Sequence, residues 1–338
     1  MSDLKLGLQL GYWGALCPGN AHADLAVEAE QLGYDSVWTG ESWGSDVFTP
    51  LTWIAAKTSK IRLGTSVAQM SARTPAATAM HALTLDHLSG GRMILGMGVS
   101  GPQVVEGWYG QKFSKPLART REYVDIIRQI MRREAPVTND GPHYTLPYNG
   151  PESMGIGKAL KPVTHPLRAD LPIFLGAEGP KNVTQTAEIA DGWLPLYYTP
   201  YREEIYADQL KNAKEDFEIA AMALVNVNDN MKDALYPVKA MLGFYIGGMG
   251  SKDNNFHKNL MARMGYADEA EQIQTLFFAG KRDEAIEKVP DAFADEISLC
   301  GPKERIAEKL VDWKKSRVTS LLVMGDSQLI RTMAELAL

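Results

Sequence analysis

The segment Gly176-Ala177-Glu178-Gly179-Pro180-Lys181 has the residue types and spacing of a loop that binds an anion. An apolar run at residues 172–175 predicts a strand leading into it, and Pro180 is typical of the first residue of a helix. The first N–H groups of a helix have no intrahelical partner, so together with the helix dipole they favour a bound phosphate. Lys181 adds a positive charge nearby. An ordinary strand-to-helix turn remains the alternative for this segment taken alone.

A second glycine-rich segment, Gly96-Met97-Gly98-Val99-Ser100-Gly101, matches the G-x-G-x-x-G pattern of dinucleotide-binding sites. It follows a predicted strand, and Glu122 lies about 20 residues further on, as that pattern requires. A dinucleotide site should open directly into a helix after the first strand, whereas Pro102 and Gly107 are expected to interrupt this region and the strand is the fourth. We interpret the segment as a loop through which a ligand ring approaches the backbone, with a nicotinamide site as the alternative.

Aromatic and acidic side chains follow several predicted strands. They are Gln9, Tyr12 and Trp13, which end or follow the first strand, Glu41, Trp43 and Asp46 after the second, Glu106, Trp108 and Tyr109 after the fourth, and Tyr197 and Tyr198 after the sixth. In a parallel barrel the carboxyl ends of all strands meet at one mouth, so these side chains would surround it. Many aromatic rings with a few carboxylates suit a flat, partly apolar ligand.

The elements that would position these residues alternate between strand and helix patterns. Strands are predicted at residues 4–10, 36–39, 61–67, 92–98, 172–176, 192–196, 219–227 and 319–324. Helices are predicted at residues 22–32, 49–57, 75–88, 117–133, 180–189, 202–214 and 302–315, with a further helical stretch at 231–288. This alternation predicts an α/β fold, a (β/α)8 TIM barrel, with an open doubly wound sheet as the alternative.

The chain has 338 residues, more than the roughly 250 of a typical barrel, so we expect insertions within a single domain spanning residues 1–338. One is predicted at 139–171, which is rich in Pro and Gly and contains the hairpin-turn sequence Asn139-Asp140-Gly141. The other is predicted at 228–295, which is helical and weakly patterned.

Composition excludes several classes of protein. The net charge of −6 argues against a general nucleic-acid-binding role. We find no apolar run of the roughly 18 residues that a membrane span needs and no signal-peptide pattern. Cys17 and Cys300 form no disulfide framework, and neither a zinc-type cluster nor a G-x-S-x-G motif is present. We therefore expect a cytoplasmic protein that acts on a small molecule without a bound metal.

Four motifs together resemble one superfamily. They are Leu32-Gly33-Tyr34-Asp35-Ser36-Val37-Trp38, Arg62-Leu63-Gly64-Thr65-Ser66-Val67, Ser89-Gly90-Gly91-Arg92 leading to Leu95-Gly96-Met97-Gly98, and the 176–181 loop. The chain resembles the bacterial-luciferase-like superfamily, and within it the branch that uses the deazaflavin coenzyme F420. The resemblance covers roughly residues 4–200, with a weaker similarity at 298–324.

The resemblance implies a site for the coenzyme. Ser66 and Val67 would form a bulge behind the deazaflavin ring, often with a non-proline cis peptide, and Glu41 would lie near the polar edge of the ring. The backbone from Gly98 through Ser100 to Gly101 would pass close to the cofactor. The phosphate would be held by backbone N–H groups of the loop formed by Gly176, Ala177, Glu178, Gly179, Pro180 and Lys181.

The resemblance also implies an oxidoreductase that transfers a hydride between F420 and a small organic substrate (an alcohol or carbonyl compound, or an activated alkene), and a homodimer. Ser42 stands where the related sugar-phosphate dehydrogenases have a histidine, so we do not assign their substrate. Candidates for proton transfer or substrate orientation are Glu41, Trp13, Glu106 and Tyr109. The alternatives are an FMN-dependent monooxygenase that works with a reductase partner and a catalytically silent homologue that binds the cofactor.

Overall fold

The computed structural model describes residues 4–12, 20–253 and 255–338. The strands are β1 (Lys5–Gln9), β2 (Ser36–Thr39), β3 (Arg62–Thr65), β4 (Ala68–Gln69), β5 (Met93–Gly98), β6 (Asn139–Asp140), β7 (Thr145–Leu146), β8 (Ile173–Gly176), β9 (Gly192–Leu194), β10 (Glu218–Val227), β11 (Ser298–Gly301) and β12 (Ser320–Met324). The α-helices are α1 (Ala21–Gln31), α2 (Phe48–Ala55), α3 (Pro75–Ser89), α4 (Pro102–Gly107), α5 (Pro116–Arg132), α6 (Pro180–Ile189), α7 (Met231–Gly248), α8 (Phe256–Arg263), α9 (Ala267–Phe278), α10 (Arg282–Glu287), α11 (Asp291–Glu296), α12 (Lys303–Lys315) and α13 (Ser327–Ala337).

In the described part of the chain, eight parallel strands close into a barrel in the order β1, β2, β3, β5, β8, β9, β10 and β12, with β12 pairing back to β1. The predicted (β/α)8 barrel and its eight strands are therefore confirmed. The third and sixth strands each end two residues earlier than predicted. The cis peptide bond between Ser66 and Val67 interrupts the third strand at Thr65, and the sixth ends at Leu194 because Pro195 has no N–H for the ladder.

The first half of strand β10 lies between β9 and β12, and its second half lies between β11 and β12. Glu218 and Ile219 pair with β9, whereas residues 224–227 pair with β11. Strand β11, which has four residues, was not predicted. The chain between β10 and β11 forms the helices α7, α8, α9, α10 and α11, in place of the single helical stretch predicted there.

Other elements also differ from the predictions. A helix, α4, does begin at Pro102, so our argument that proline interrupts this region was wrong: proline fits the first helical position. The predicted helix at 202–214 is a 3-10 helix, Pro200–Tyr206, because Arg202 leaves helical geometry (φ −139°) and its guanidinium binds Glu296. Helix α13, which buries Ile330 and Met333, was not predicted.

The middle of the barrel is filled with apolar side chains. Trp38, Ile94, Phe174, Leu194, Ala220 and Leu322 form a buried cluster separate from the main core. Trp38 fits because Gly64 faces it: a Cβ at Gly64 would lie 2.1 Å from the indole ring. The larger core contains the buried apolar side chains of the helices together with residues such as Leu6, Leu8 and Val37, which occupy the alternate positions of the strands.

An ionic network lies at the amino-terminal end of the barrel, which we call the closed end. Arg62 donates to Asp35 (Nη2 to Oδ2, 2.5 Å) and to Glu218 (Nη1 to Oε1, 2.8 Å), and the Lys5 ammonium lies 3.6 Å from Glu218. Burial alone would raise the pKa of Glu218, but hydrogen bonding and charge from Arg62 outweigh burial and hold it below its ordinary value. The network ties β1, β3 and β10 together.

None of the helices in the described ranges combines the length and apolar composition needed to cross a lipid bilayer.

Candidate active site

The open end of the barrel has a floor in which two glycines face one valine. A Cβ at Gly98 would lie 2.7 Å from Cγ2 of Val67, and one at Gly176 would lie 3.3 Å from its Cγ1. Side chains at these two positions would crowd Val67, and without them the valine stays partly exposed. This surface, formed by Val67, Gly98 and Gly176, is called the glycine floor below. It is open enough for a flat ring to lie against it.

The bulge that presents Val67 follows β3. The peptide bond between Ser66 and Val67 is cis, as the resemblance led us to expect. The N–H of Ser66 donates to the carbonyl of Thr39 (2.6 Å), and the chain rejoins the sheet at β4, which pairs with the end of β5. The bulge is thus attached on both sides to strands of the barrel.

Glu41 lies beside the bulge with both carboxylate oxygens occupied. Oε1 accepts from Arg73 Nη2 (2.6 Å), and Oε2 accepts from Arg73 Nη1 (2.9 Å) and from the N–H of Gln69 (2.7 Å). Arg73 also donates to Asp46 (2.7 Å), and the Glu41 side chain is only 5% exposed. Both oxygens of this carboxylate are thus already bound by donors of the protein. This geometry favours a positioning role for Glu41 over proton transfer.

The other three candidates for proton transfer differ in their surroundings. Tyr109 interacts with the Glu41, Arg73 and Asp46 charges, and burial, followed by the two carboxylates, raises the pKa of its hydroxyl. Glu106 is exposed on α4, where its Oε1 accepts from the N–H of Phe113 (3.2 Å). Trp13 lies outside the described residues. The charge of Glu41 therefore acts on Tyr109, whereas no hydrogen bond or ion pair in the described ranges joins Glu106 to that cluster.

The 176–181 loop has the predicted strand–loop–helix form. Helix α6 begins at Pro180 with Gly179 as its N-cap, and the Gly179 carbonyl accepts from the N–H groups of Asn182 and Val183 (2.9 Å each). The N–H groups of Gly179 and Lys181 have no acceptor within the described ranges. A Cβ at Gly179 would meet nothing within 4 Å. The loop therefore presents free donors to open space, as an anion site requires.

A wall of side chains from α7 and α8 faces this loop. His257 Nδ1 lies 3.0 Å from Glu178 Oε2, and Arg263 donates to the Glu178 carbonyl (2.7 Å). Tyr197 and Tyr245 pack edge-on against the imidazole and against each other. Burial, and then charge from Tyr12 and Glu178, raises the pKa of Tyr245 to about 12.

Three buried polar atoms near the mouth have no hydrogen-bond partner in the described structure. They are Gln9 Oε1, Gln69 Oε1 and the Tyr197 hydroxyl. Gln9 ends β1, Gln69 is on β4 beside Glu41, and Tyr197 follows β9 with a φ of 55°. Leaving such a group unpaired costs about 1–3 kcal/mol. Polar groups of a bound molecule would satisfy atoms in these positions.

The sequence missed several residues of this region. Arg73 and Gln69 were not singled out, although Arg73 holds Glu41 from 32 positions away. His257 and Tyr245 lie in a helical stretch whose pattern was too weak to interpret, and their approach to the mouth follows only from the tertiary structure. The one available signal was charge: Glu41 follows a buried strand, and a buried carboxylate needs a cationic partner.

Comparisons with known proteins agree with this architecture. A family model described as luciferase-like monooxygenase matches residues 14–320. A relative from Mycobacterium tuberculosis (strain ATCC 25618 / H37Rv), whose name is that of a coenzyme F420-dependent oxidoreductase, is 53% identical, with 99% of each chain aligned. A 5,10-methylenetetrahydromethanopterin reductase from Archaeoglobus fulgidus is 29% identical over 87% of this chain and 86% of its own.

A solved structure shares the fold over nearly the whole chain. The coenzyme F420-dependent tetrahydromethanopterin reductase from Methanopyrus kandleri superposes with a TM-score of 0.80 at 23% identity and covers 99% of both chains. With the family model matching most of the sequence, the family is established: the chain belongs to the luciferase-like monooxygenase family.

Proposed function

We propose that the protein is an F420-dependent oxidoreductase that transfers a hydride between the coenzyme and a small organic substrate, either an alcohol or carbonyl compound or an activated alkene. The name of the 53%-identical relative supports the coenzyme. The observation that carries the proposal in this structure is the glycine floor with the anion-binding loop beside it. Gly176 belongs to both, so a ring on the floor and a phosphate on the loop can belong to one molecule.

The residues present fit such a coenzyme. A Cβ at Gly98 would be 2.7 Å from Val67, so the floor keeps its shape only with glycine there. Gln69 Oε1 is a buried acceptor without a partner, which suits an N–H donor at the polar edge of the ring. The N–H groups of Gly179 and Lys181 suit the phosphate.

Bound F420 would supply the chemistry by giving or taking a hydride at its central ring. The protein would supply position and electrostatics. Val67 and Ser66 would support one face of the ring, and Glu41, fixed by Arg73, would keep Gln69 in place at its edge. The other face would be open to substrate beside Tyr109 and the exposed Tyr12 and Trp43. We also propose Ser100, at φ 60° after β5, as part of the backbone that passes the coenzyme.

The alternative that uses the same floor is an FMN-dependent monooxygenase with a reductase partner, because the matched family model is described as luciferase-like monooxygenase. A flavin ring would lie on the same surface. A binding titration against F420, FMN and NADPH in parallel, followed by fluorescence, separates the two. We expect micromolar or tighter binding of F420 and weaker binding of the other two. Preference for FMN would overturn the proposal.

The variant Gly179→Val tests whether the 176–181 loop binds the phosphate of the coenzyme. Gly179 has φ −71° and ψ 144°, which valine adopts readily, and the space around it is open, so folding should be unaffected. The added side chain stands where the phosphate would be. We expect F420 affinity to fall about tenfold or more with an unchanged melting temperature. Unchanged affinity would remove this loop from the site, and Gly179→Ala provides a graded comparison.

We further propose that the protein is a homodimer. Trp53 on α2 and Met80 and Leu88 on α3 are large apolar side chains, 48%, 65% and 66% exposed, on two neighbouring helices. A contiguous apolar patch formed by such side chains would be typical of a surface that a partner covers. Sedimentation equilibrium of the parent and of Met80→Glu tests it, and a monomeric parent at micromolar concentration would contradict it.

A further inference from the structure

Helix α8 places a histidine against the carboxylate of the anion-binding loop. Nδ1 of His257 lies 3.0 Å from Oε2 of Glu178, and their side chains are 15% and 17% exposed. Glu178 lies two residues beyond Gly176 of the glycine floor. The imidazole is therefore near the floor, although α8 is far along the sequence from the barrel strands that form it.

The orientation of the imidazole is fixed on three sides. Glu178 binds one ring nitrogen, the ring of Tyr245 packs against the imidazole at 5.0 Å with an angle of 76°, and that of Tyr197 packs at 5.9 Å with an angle of 70°. The other nitrogen, Nε2, has no hydrogen-bond partner within the described ranges. A carboxylate on one nitrogen of a histidine sets which tautomer is present and leaves the other nitrogen for proton exchange.

The groups around the imidazole place it in the wall of the mouth. Tyr197 follows β9, and its buried hydroxyl has no partner. Tyr245 of α7 interacts with Tyr12, whose ring approaches Gly40 at the end of β2. The wall thus reaches around the mouth from the loop after β8 to the loop after β1.

The charges that face His257 come from few groups. Glu178 is the carboxylate, Tyr197 and Tyr245 are neutral hydroxyls at physiological pH, and Arg263 of its own helix is bonded to the carbonyl of Glu178. The imidazole is therefore the group of this wall whose second ring nitrogen, Nε2, is left for a ligand in the mouth, because Glu178 binds Nδ1.

We propose that His257 exchanges the proton that accompanies hydride transfer, with Glu178 as its positioning residue. The inference rests on the proposed function. In carbonyl reduction, the carbonyl carbon gains the hydride, the C=O π bond breaks, and the oxygen takes the proton from Nε2 of the imidazolium. The neutral imidazole then regains a proton from solvent. In alcohol oxidation, Nε2 accepts the hydroxyl proton as the carbon loses the hydride.

Steady-state kinetics against pH provide the first test, with F420 and whichever alcohol or carbonyl substrate a panel identifies. We expect His257→Gln to lower kcat about 100-fold or more and to remove one limb of the pH–rate profile, with F420 affinity within twofold of the parent. His165→Gln, the same change at an exposed loop residue, should match the parent. Glu178→Gln should keep the limb and lower kcat by less than His257→Gln does, because the imidazole remains but the carboxylate that orients it is gone.

NMR of the protein without coenzyme provides the second test. With histidine labelled at the ring Cε1 carbon, the resonance absent from His257→Gln identifies His257 among the six histidines. Its chemical shift should differ between Glu178→Gln and the parent, because the partner of Nδ1 has changed. An unchanged chemical shift would overturn the pairing, and an unchanged pH profile in His257→Gln would overturn the proton-transfer role.

The two proposals fail in different ways. If the parent binds no F420, the proposed function fails whatever His257 does. If the parent binds and uses F420 but His257→Gln keeps its kcat and pH profile, only this inference fails. A structural role alone would lower the melting temperature of His257→Gln and leave the pH profile of the remaining activity unchanged, which also contradicts the inference.

Discussion

The two ends of the barrel each contain an arginine bound between two carboxylates. At the closed end Arg62 binds Asp35 and Glu218, and at the open end Arg73 binds Glu41 and Asp46. The closed end adjoins the layer of apolar side chains around Trp38 that fills the middle of the barrel. The open end adjoins the glycine floor and Gln69 Oε1, which has no hydrogen-bond partner in the described structure. The same ionic unit therefore joins strands at one end and holds Glu41 and Gln69 beside the glycine floor at the other.

The comparison predicts its largest effect for the arginines. Arg73→Met leaves the Glu41 carboxylate, 5% exposed, without its cation, so we expect a loss of about 3–5 kcal/mol in the free energy of unfolding together with loss of coenzyme binding. Arg62→Met leaves two carboxylates that are 24% and 21% exposed and still near Lys5, so about 1–2 kcal/mol is expected with binding intact. Urea unfolding and F420 titration measure both. Impaired F420 binding in Arg62→Met would contradict the separation of a stabilising arginine at the closed end from a binding-related arginine at the open end.

A smaller loss of stability is expected for alanine substitutions at Gly64, in the filled layer of the barrel, and at Gly98, in the glycine floor at the open end. Gly64→Ala puts a Cβ 2.1 Å from the ring of Trp38 in the filled layer, so the free energy of unfolding should fall by about 3 kcal/mol. Gly98→Ala meets only a methyl group of the partly exposed Val67, which can move, so stability should change by less than about 1 kcal/mol while F420 affinity falls about tenfold. Equal losses of stability in the two variants would show that the open half is as tightly packed as the closed half.

The smallest effect is the acid dependence of the closed end. The pKa of Glu218 is lower in the folded protein than its ordinary value of 4.5. The pairing therefore stabilises the fold above pH 4.5 and is lost as the pH falls through the lower, folded-state pKa. We expect the unfolding free energy of the parent to decline below about pH 4.5, and Glu218→Gln to reduce that decline. Identical pH dependence in parent and variant would contradict the contribution of Glu218.

The sequence predicted those parts of the fold that depend on local patterns. Pro180 and Gly179 indicated the start of α6, and the apolar strands indicated the barrel, because each signal lies within a few residues. The cis bulge at Ser66 and Val67 came from the resemblance alone. The sequence did not predict two contacts of the candidate site, Arg73 with Glu41 and His257 with Glu178. These pairs lie 32 and 79 positions apart, and no local sequence pattern encodes such a pair.

The pairing of β11 with β10 separates the segment between these two strands from the rest of the barrel. Helices α7–α11 leave the barrel at the end of β10 and return through β11, which pairs with β10 itself. This segment, which we call the cassette, therefore begins and ends at two neighbouring strands, and it also contacts the barrel where His257 and Arg263 meet Glu178. Tyr245 and His257 belong to the cassette, whereas Val67, Gly98 and Gly176 belong to the barrel. Exchange of the cassette between relatives would alter what the mouth accepts and leave the glycine floor unchanged.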